Sequence, residues 1–257
     1  MQASSTDPLT AQAGTAPATS ARRRVTDAPT RMFHWLFTLS FLGAYLSAES
    51  ERWRLLHVTL GYTLAGLLGW RVLYGLFGPR QAGLGLLWRK LGNLGSWVRA
   101  LVPGSTPAPV NWRQGQNLLM ALAVFSLLVM AVPLTLSGYG TYNEWDEVLG
   151  GDWFEEVHEV LGNAFLIVVL GHIALIALLS VLRRQNQALP MLTGRADAPG
   201  PDLVKQNRGW LAGLILLAVL AFWGWQWQQS PNGLVPGQAA GQVGEGDNSG
   251  ADDDDDD

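Results

Sequence analysis

Cysteine is absent from this 257-residue chain, and histidine occurs only four times. The first absence removes disulfides, thiolate-ligated iron–sulfur clusters and the C-x-x-C-H attachment of a c-type haem. Charge is scarce as well. Charged residues make up 15% of the chain against 48% hydrophobic, and they are confined to particular stretches. That clustering indicates an integral membrane protein rather than a water-soluble core. No basic patch of the kind that binds nucleic acid is present, and a formal net charge of −4 says nothing by itself about partners.

Five apolar runs stand out, at residues 32–48, 55–77, 117–138, 154–182 and 210–227. Each approaches or exceeds the roughly 20 residues that a helix needs to cross the hydrocarbon layer. The first follows basic residues, as the core of a signal peptide does, but a removed segment has no use for the imidazole of His34. The fold class that follows is all-α, an integral membrane helical bundle of four helices plus a fifth, C-terminal transmembrane helix. Residues 1–24, rich in Ala, Ser, Thr and Pro and ending in Arg22, Arg23 and Arg24, read as a disordered leader. Residues 25–195 form the four-helix domain, 196–209 a linker and 210–227 the fifth helix. Residues 228–257, rich in Gly, Pro and Gln and closing on six aspartates, read as a disordered acidic tail. Between spans two and three, apolar residues at Leu84, Leu87, Leu91, Leu94, Val98 and Leu101 predict an interfacial amphipathic helix, although Gly85, Gly92 and Gly95 interrupt it. Trp223, Trp225 and Trp227 end the last span as an interfacial aromatic belt does.

All Lys and Arg residues except Arg52 and Arg54 fall in the leader, the second connection or the fourth. The basic side is cytoplasmic, so the N-terminus is cytoplasmic and the C-terminal tail lies on the outer side. Every histidine lies inside a span. An ionisable group in hydrocarbon is costly and marks a function by default. Topology converts positions into depths: His34 lies near the cytoplasmic end of its helix, and His57 and His158 near the outer ends of theirs. His172 follows His158 by fourteen residues, which is about 21 Å along a helix and nearly the same face. The histidines therefore pair by depth, His57 with His158 and His34 with His172. Gly61 and Gly162 each follow a histidine by four residues, one turn away on the same face. They leave room for a flat macrocycle, or else serve close helix packing.

Two histidines facing across a bundle suit the two axial positions of a haem iron. With cysteine absent, that haem is non-covalent, hence b-type. Zinc takes three or four ligands, and neither pair is accompanied by a carboxylate at suitable spacing. A haem-free transporter of protons or metal ions using these histidines is the alternative from a different class, but the span interiors lack the carboxylates that such relays use. The metal ligands expected are thus His34, His57, His158 and His172, holding two b haems in the four-helix core.

The stretches Asp27-Ala-Pro-Thr-Arg-Met-Phe-His34-Trp, His57-Val-Thr-Leu-Gly-Tyr, Arg71-Val-Leu-Tyr-Gly-Leu-Phe-Gly-Pro-Arg80, His158-Glu-Val-Leu-Gly-Asn, Gly171-His172 and Met191-Leu-Thr-Gly-Arg195 together resemble the bacterial cytochrome b561 and nickel-hydrogenase b-type cytochrome family. The resemblance covers about residues 25–195 and implies a dihaem cytochrome b with bis-histidine ligation and quinone or quinol as a redox partner. Members of that family often carry Gly-His-Asn where this chain has Gly115-Gln116-Asn117. Arg31, Arg71 and Arg80 suit haem propionates at the cytoplasmic side, and suit equally the basic residues that set orientation. The reading is respiratory electron transport between a membrane quinone pool and a periplasmic partner. Acids on the outer side (Glu49, Glu51, Glu144, Asp146, Glu147, Asp152 and Glu155) favour a basic one such as a c-type cytochrome. The related alternative is the membrane anchor of a larger oxidoreductase such as a hydrogenase.

Overall fold

A computed structural model describes residues 22–80, 82–102, 110–145 and 153–229. The leader up to residue 21 and the acidic tail lie outside the described residues. Helix α1 (Ala28–Ser47) starts where Asp27 accepts the Thr30 N–H at 3.1 Å with a proline in the first turn, an N-cap and N-terminal proline arrangement that needs no tertiary help. It begins four residues ahead of the apolar run at 32. A single 3-10 turn, Glu51–Trp53, leads into α2 (Arg54–Phe77), which stops at Gly78-Pro79. The expected amphipathic helix over 84–101 is two short ones, α3 (Leu84–Leu91) and α4 (Leu94–Leu101). The break falls at Gly92-Asn93, where backbone entropy and a turn-forming side chain outweigh the periodicity. Then come α5 (Trp112–Tyr142), with Pro133 inside it, and α6 (Trp153–Arg183). A short α7 (Leu189–Thr193) ends on Gly194 at φ 79°, a left-handed cap that favours glycine. Helix α8 (Gly209–Gln229) is last.

Three of these helices, α5, α6 and α8, are by length and composition apolar enough to cross a membrane. At 31 residues, α5 and α6 are each about 46 Å long, more than the hydrocarbon thickness. Helices α1 and α2, of 20 and 24 residues, pack beside them. Helix α1 lies on α2, α2 on α5 and α5 on α6. Phe41, Leu64, Leu68, Ala131, Leu134 and Phe165, drawn from all four, form one buried cluster. Helix α8 is added outside this group. Its Ile215 and Val219 pack with Phe33 of α1 and Leu67 of α2, and the Trp223 indole N–H donates to Thr63 Oγ1 at 2.9 Å. Large apolar side chains such as Leu46, Phe77 and Val181 remain exposed, as they do where lipid is the solvent.

One end of the bundle carries a clasp. Strands β1 (Arg22–Arg24) and β2 (Arg195–Asp197) pair antiparallel, with Arg22 opposite Asp197 and joined to it by a 2.8 Å ion pair. The Val25 N–H donates to Gly194 O, Leu203 N–H to Arg24 O, and Ala28 N–H to Asn207 O. Residues read from composition as the end of a leader and as a linker are thus hydrogen-bonded to each other. Composition does not register this, because backbone groups pair irrespective of side chain.

Candidate functional site

His57 is the fourth residue of α2 and His158 the sixth of α6. Their rings face each other with centroids 5.9 Å apart and planes at 86°. His57 Nδ1 lies 2.8 Å from Ala44 O. His158 Nδ1 lies 3.0 Å from Leu134 O and 3.2 Å from Ser137 Oγ. A carbonyl only accepts, so each Nδ1 carries the proton and donates it, which leaves each Nε2 with a free lone pair. Ala44 is in the last turn of α1, where helix carbonyls lack a backbone N–H partner, and its oxygen accepts from the His57 imidazole and, at 3.1 Å, from the Ser47 hydroxyl.

The α5 backbone forms the wall behind His158. A Cβ on Gly138 would stand 2.7 Å from His158 Cε1, so the ring packs where only glycine permits. Beside the pair there is room. A Cβ at Gly61 or at Gly162 would meet nothing within 4 Å, although both residues are half-buried. Helix packing at those two glycines would have placed a neighbour there.

The second pair lies toward the clasp. The Nδ1 atoms of His34 on α1 and His172 on α6 are both buried without a hydrogen-bond partner among the described residues. Midway between His158 and His172 on α6 comes Phe165, 2% exposed. Its ring is 4.7 Å from that of Phe41 and 6.4 Å from that of Phe37. A dry aromatic layer from α1 and α6 therefore separates the two pairs. Tyr45 continues the contact on the His57 side, donating its hydroxyl hydrogen to Asn163 Oδ1 at 3.1 Å.

The arginines divide. Arg31 Nη1 donates to Leu192 O at 3.2 Å, while its Nε is buried and unpartnered among the described residues. Arg71 turns the other way and donates to Ala82 O at 3.0 Å, bracing the turn after α2. Arg80 is exposed. Gln116 and Asn117 accept from Arg183 at 2.8 and 3.0 Å, tying the start of α5 to the end of α6.

Several residues here carry no sequence signal beyond their type. Ser137 and Gly138 read as ordinary small residues in a span. Asp27, 2% exposed, reads as a helix cap, yet it also accepts the hydroxyl hydrogen of Tyr74 from α2. Among the described residues no group of three or more His, Cys, Asp or Glu side chains converges as a metal cluster would.

Comparison with known families is decisive at this point. The family model of prokaryotic cytochrome b561, a nickel-hydrogenase b-type cytochrome group, matches residues 25–194. No curated protein and no solved structure matches the chain. The matched region takes in α1 to α7 and all four histidines and stops before α8.

Proposed function

We propose that this chain, which belongs to the prokaryotic cytochrome b561 family and is therefore a membrane b-type cytochrome of electron transfer, holds two b haems. Their axial pairs are His57 with His158 and His34 with His172. The observation that carries the reading is the geometry at His57 and His158. Two imidazoles in the bundle face each other with both Nδ1 protons donated to protein acceptors. With the ring centroids 5.9 Å apart and both Nδ1 atoms donating to protein acceptors, the two Nε2 atoms are the ones that would hold an iron. The open space at Gly61 and Gly162 supports a flat ring lying against the helix backbones.

When bound, the haem supplies reversible one-electron exchange at its iron, with a potential set by ligands, hydrogen bonds and burial. The protein does the rest. The carbonyls of Ala44 and Leu134 fix the orientation of the ligand rings, Gly138 admits His158, and the Phe37–Phe41–Phe165 layer excludes water between the two sites. Arg31, with an unused buried Nε, is placed to meet a propionate. Arg71 gives one Nη1 donor to Ala82 O and, with five N–H donors on its guanidinium, is the second candidate for a propionate.

The chain sits in the bacterial inner membrane with the clasp on the cytoplasmic side, where the arginines gather. It exchanges electrons between quinone or quinol in the membrane and a periplasmic partner, a basic c-type cytochrome or the large subunit of an oxidoreductase such as a hydrogenase. Glu49, Glu51, Glu144 and Glu155 are exposed at the His57–His158 end. Asp146, Glu147 and Asp152 lie outside the described residues. Copurification of a large subunit separates the two partners.

Pyridine-haemochrome analysis of the purified protein tests the ligand pairing. Wild type is expected to hold two haems per chain. His57→Ala, His158→Ala and the variant carrying both should each hold one, and His57→Ala combined with His172→Ala should hold none. A colourless but folded wild type overturns the proposal.

A further inference from the structure

Helix α8 lies outside the region that matches the family. It packs mainly on α1, and a groove stays open between it and the last turns of α2. At the clasp end the groove widens into a cavity of about 280 Å³, lined by Trp70, Leu73, Tyr74 and Phe77 of α2 and by Arg208 and Leu211 at the start of α8. Its walls are of two kinds. Leu73 and Phe77 are exposed on the surface that faces lipid. Behind them Trp70 and Tyr74 stack with ring centroids 4.8 Å apart and planes at 16°, a flat and stiff apolar wall.

Among the described lining residues the charge comes from Arg208, which is half-buried. Its backbone has φ 49°, a left-handed conformation that glycine or asparagine adopts at lower cost than arginine. Strain of this kind persists where a side chain is held for a ligand. Here it holds a guanidinium at the edge of an apolar cavity. The guanidinium is a partner of the Tyr74 hydroxyl, which itself donates to Asp27. That contact fixes Arg208 from behind without using up its five N–H donors.

Depth selects the ligand. Asn207 O accepts the Ala28 N–H, so Arg208 stands level with the start of α1, and Gly78 at the end of α2 borders the same cavity. Three helix ends at one level mark a membrane boundary. A small water-soluble anion has no use for Leu73 and Phe77, and a zwitterionic lipid brings its own ammonium to a basic end. An anionic phospholipid answers both walls. Its phosphate meets the guanidinium in a charge-assisted hydrogen bond, and its acyl chains follow the groove past Leu73 and Leu211. Basic pockets between helices on the cytoplasmic side take such headgroups.

We infer that this cavity binds one anionic phospholipid, which seals α8 against α2. The binding is non-covalent and moves neither electron nor proton. It needs the membrane setting but no haem, so haem content is an independent control.

Native mass spectrometry of the full-length protein, delipidated and then titrated with phosphatidylglycerol or phosphatidylcholine, tests the site. One phosphatidylglycerol should bind at least about tenfold more tightly than phosphatidylcholine. Arg208→Asn, which suits the left-handed backbone, should abolish that preference with haem content unchanged, and Arg208→Lys should keep part of it. A phosphatidylglycerol with a photoreactive acyl chain gives a second measurement that needs no variant. It should label residues 70–78 and 208–215 of the wild type. Equal affinity for the two lipids, an unaltered preference in Arg208→Asn, displacement by millimolar inorganic phosphate, or labelling that avoids both segments overturns the inference. If Arg208→Asn fails to fold, the wild-type labelling decides.

Discussion

At the scale of single residues, the site depends on groups too small to draw notice in a sequence. Gly138 is the clearest case, because a methyl group there would stand 2.7 Å from His158 Cε1. The neighbour is a stiff ring whose Nδ1 is already held by Leu134 O, so the ring cannot yield without losing that bond. Gly138→Ala should therefore displace His158 and release the haem of that pair while the other stays. Haem content should fall from two to one per chain. Retention of both haems with unchanged potentials would show that the wall behind His158 is soft. Gly61→Ala carries the opposite expectation in the protein without haem, since nothing lies within 4 Å of its Cβ position. The histidines were legible in the sequence because they are rare and intramembrane. Their second partners were not, because Ala44 and Leu134 act through backbone carbonyls that every residue possesses.

At the scale of elements, α1 is set by its first residue. The Asp27 carboxylate caps the helix through the Thr30 N–H and accepts from the Tyr74 hydroxyl of α2, so one buried side chain fixes both the start of α1 and its alignment on α2. His34 follows by seven residues, two turns on and on the same face. Asp27→Ala should cost about 1 kcal/mol for the cap and about 1 kcal/mol more for the lost Tyr74 hydrogen bond, since the hydroxyl keeps Arg208 as a partner. Thermal unfolding in detergent would register the loss, and the α band of the His34–His172 haem should shift while that of the other holds. Asp27→Asn keeps the cap and should lose less. The Asp27-Ala-Pro sequence is an ordinary helix start that apolarity alone passes over. The break between α3 and α4 was readable from Gly92 and Asn93, whose preference for turns competes with the apolar spacing on either side.

For the whole molecule, the two ends of the bundle differ in electrostatic character. The clasp end gathers arginines, among them Arg22, Arg23, Arg24, Arg31 and Arg183, whereas the other end exposes Glu49, Glu51, Glu144 and Glu155. A basic partner steered to that acidic face associates faster at low salt, and exposed charges are screened beyond about 8 Å at physiological ionic strength. Electron exchange with such a partner should slow as salt is raised, measured by stopped flow, while the potentials of the two haems stay fixed. A rate indifferent to ionic strength would remove the electrostatic part of the docking. Helix α8 belongs to this scale too. It lies beyond the matched region, yet Ile215, Val219 and Trp223 attach it to α1 and α2.

By itself the sequence determined the membrane class and the family, and predicted the depths of the four histidines. Each of these follows from one-dimensional quantities: length of an apolar run, distribution of charge, and the 3.6-residue period that returns His172 to the face of His158. Only the tertiary structure decided which nitrogen of His57 and of His158 is engaged, where the N-terminal arginines end up and which helices α8 joins. Those depend on backbone groups and on close approach between distant segments, and neither backbone groups nor distance between segments is written in side-chain identity.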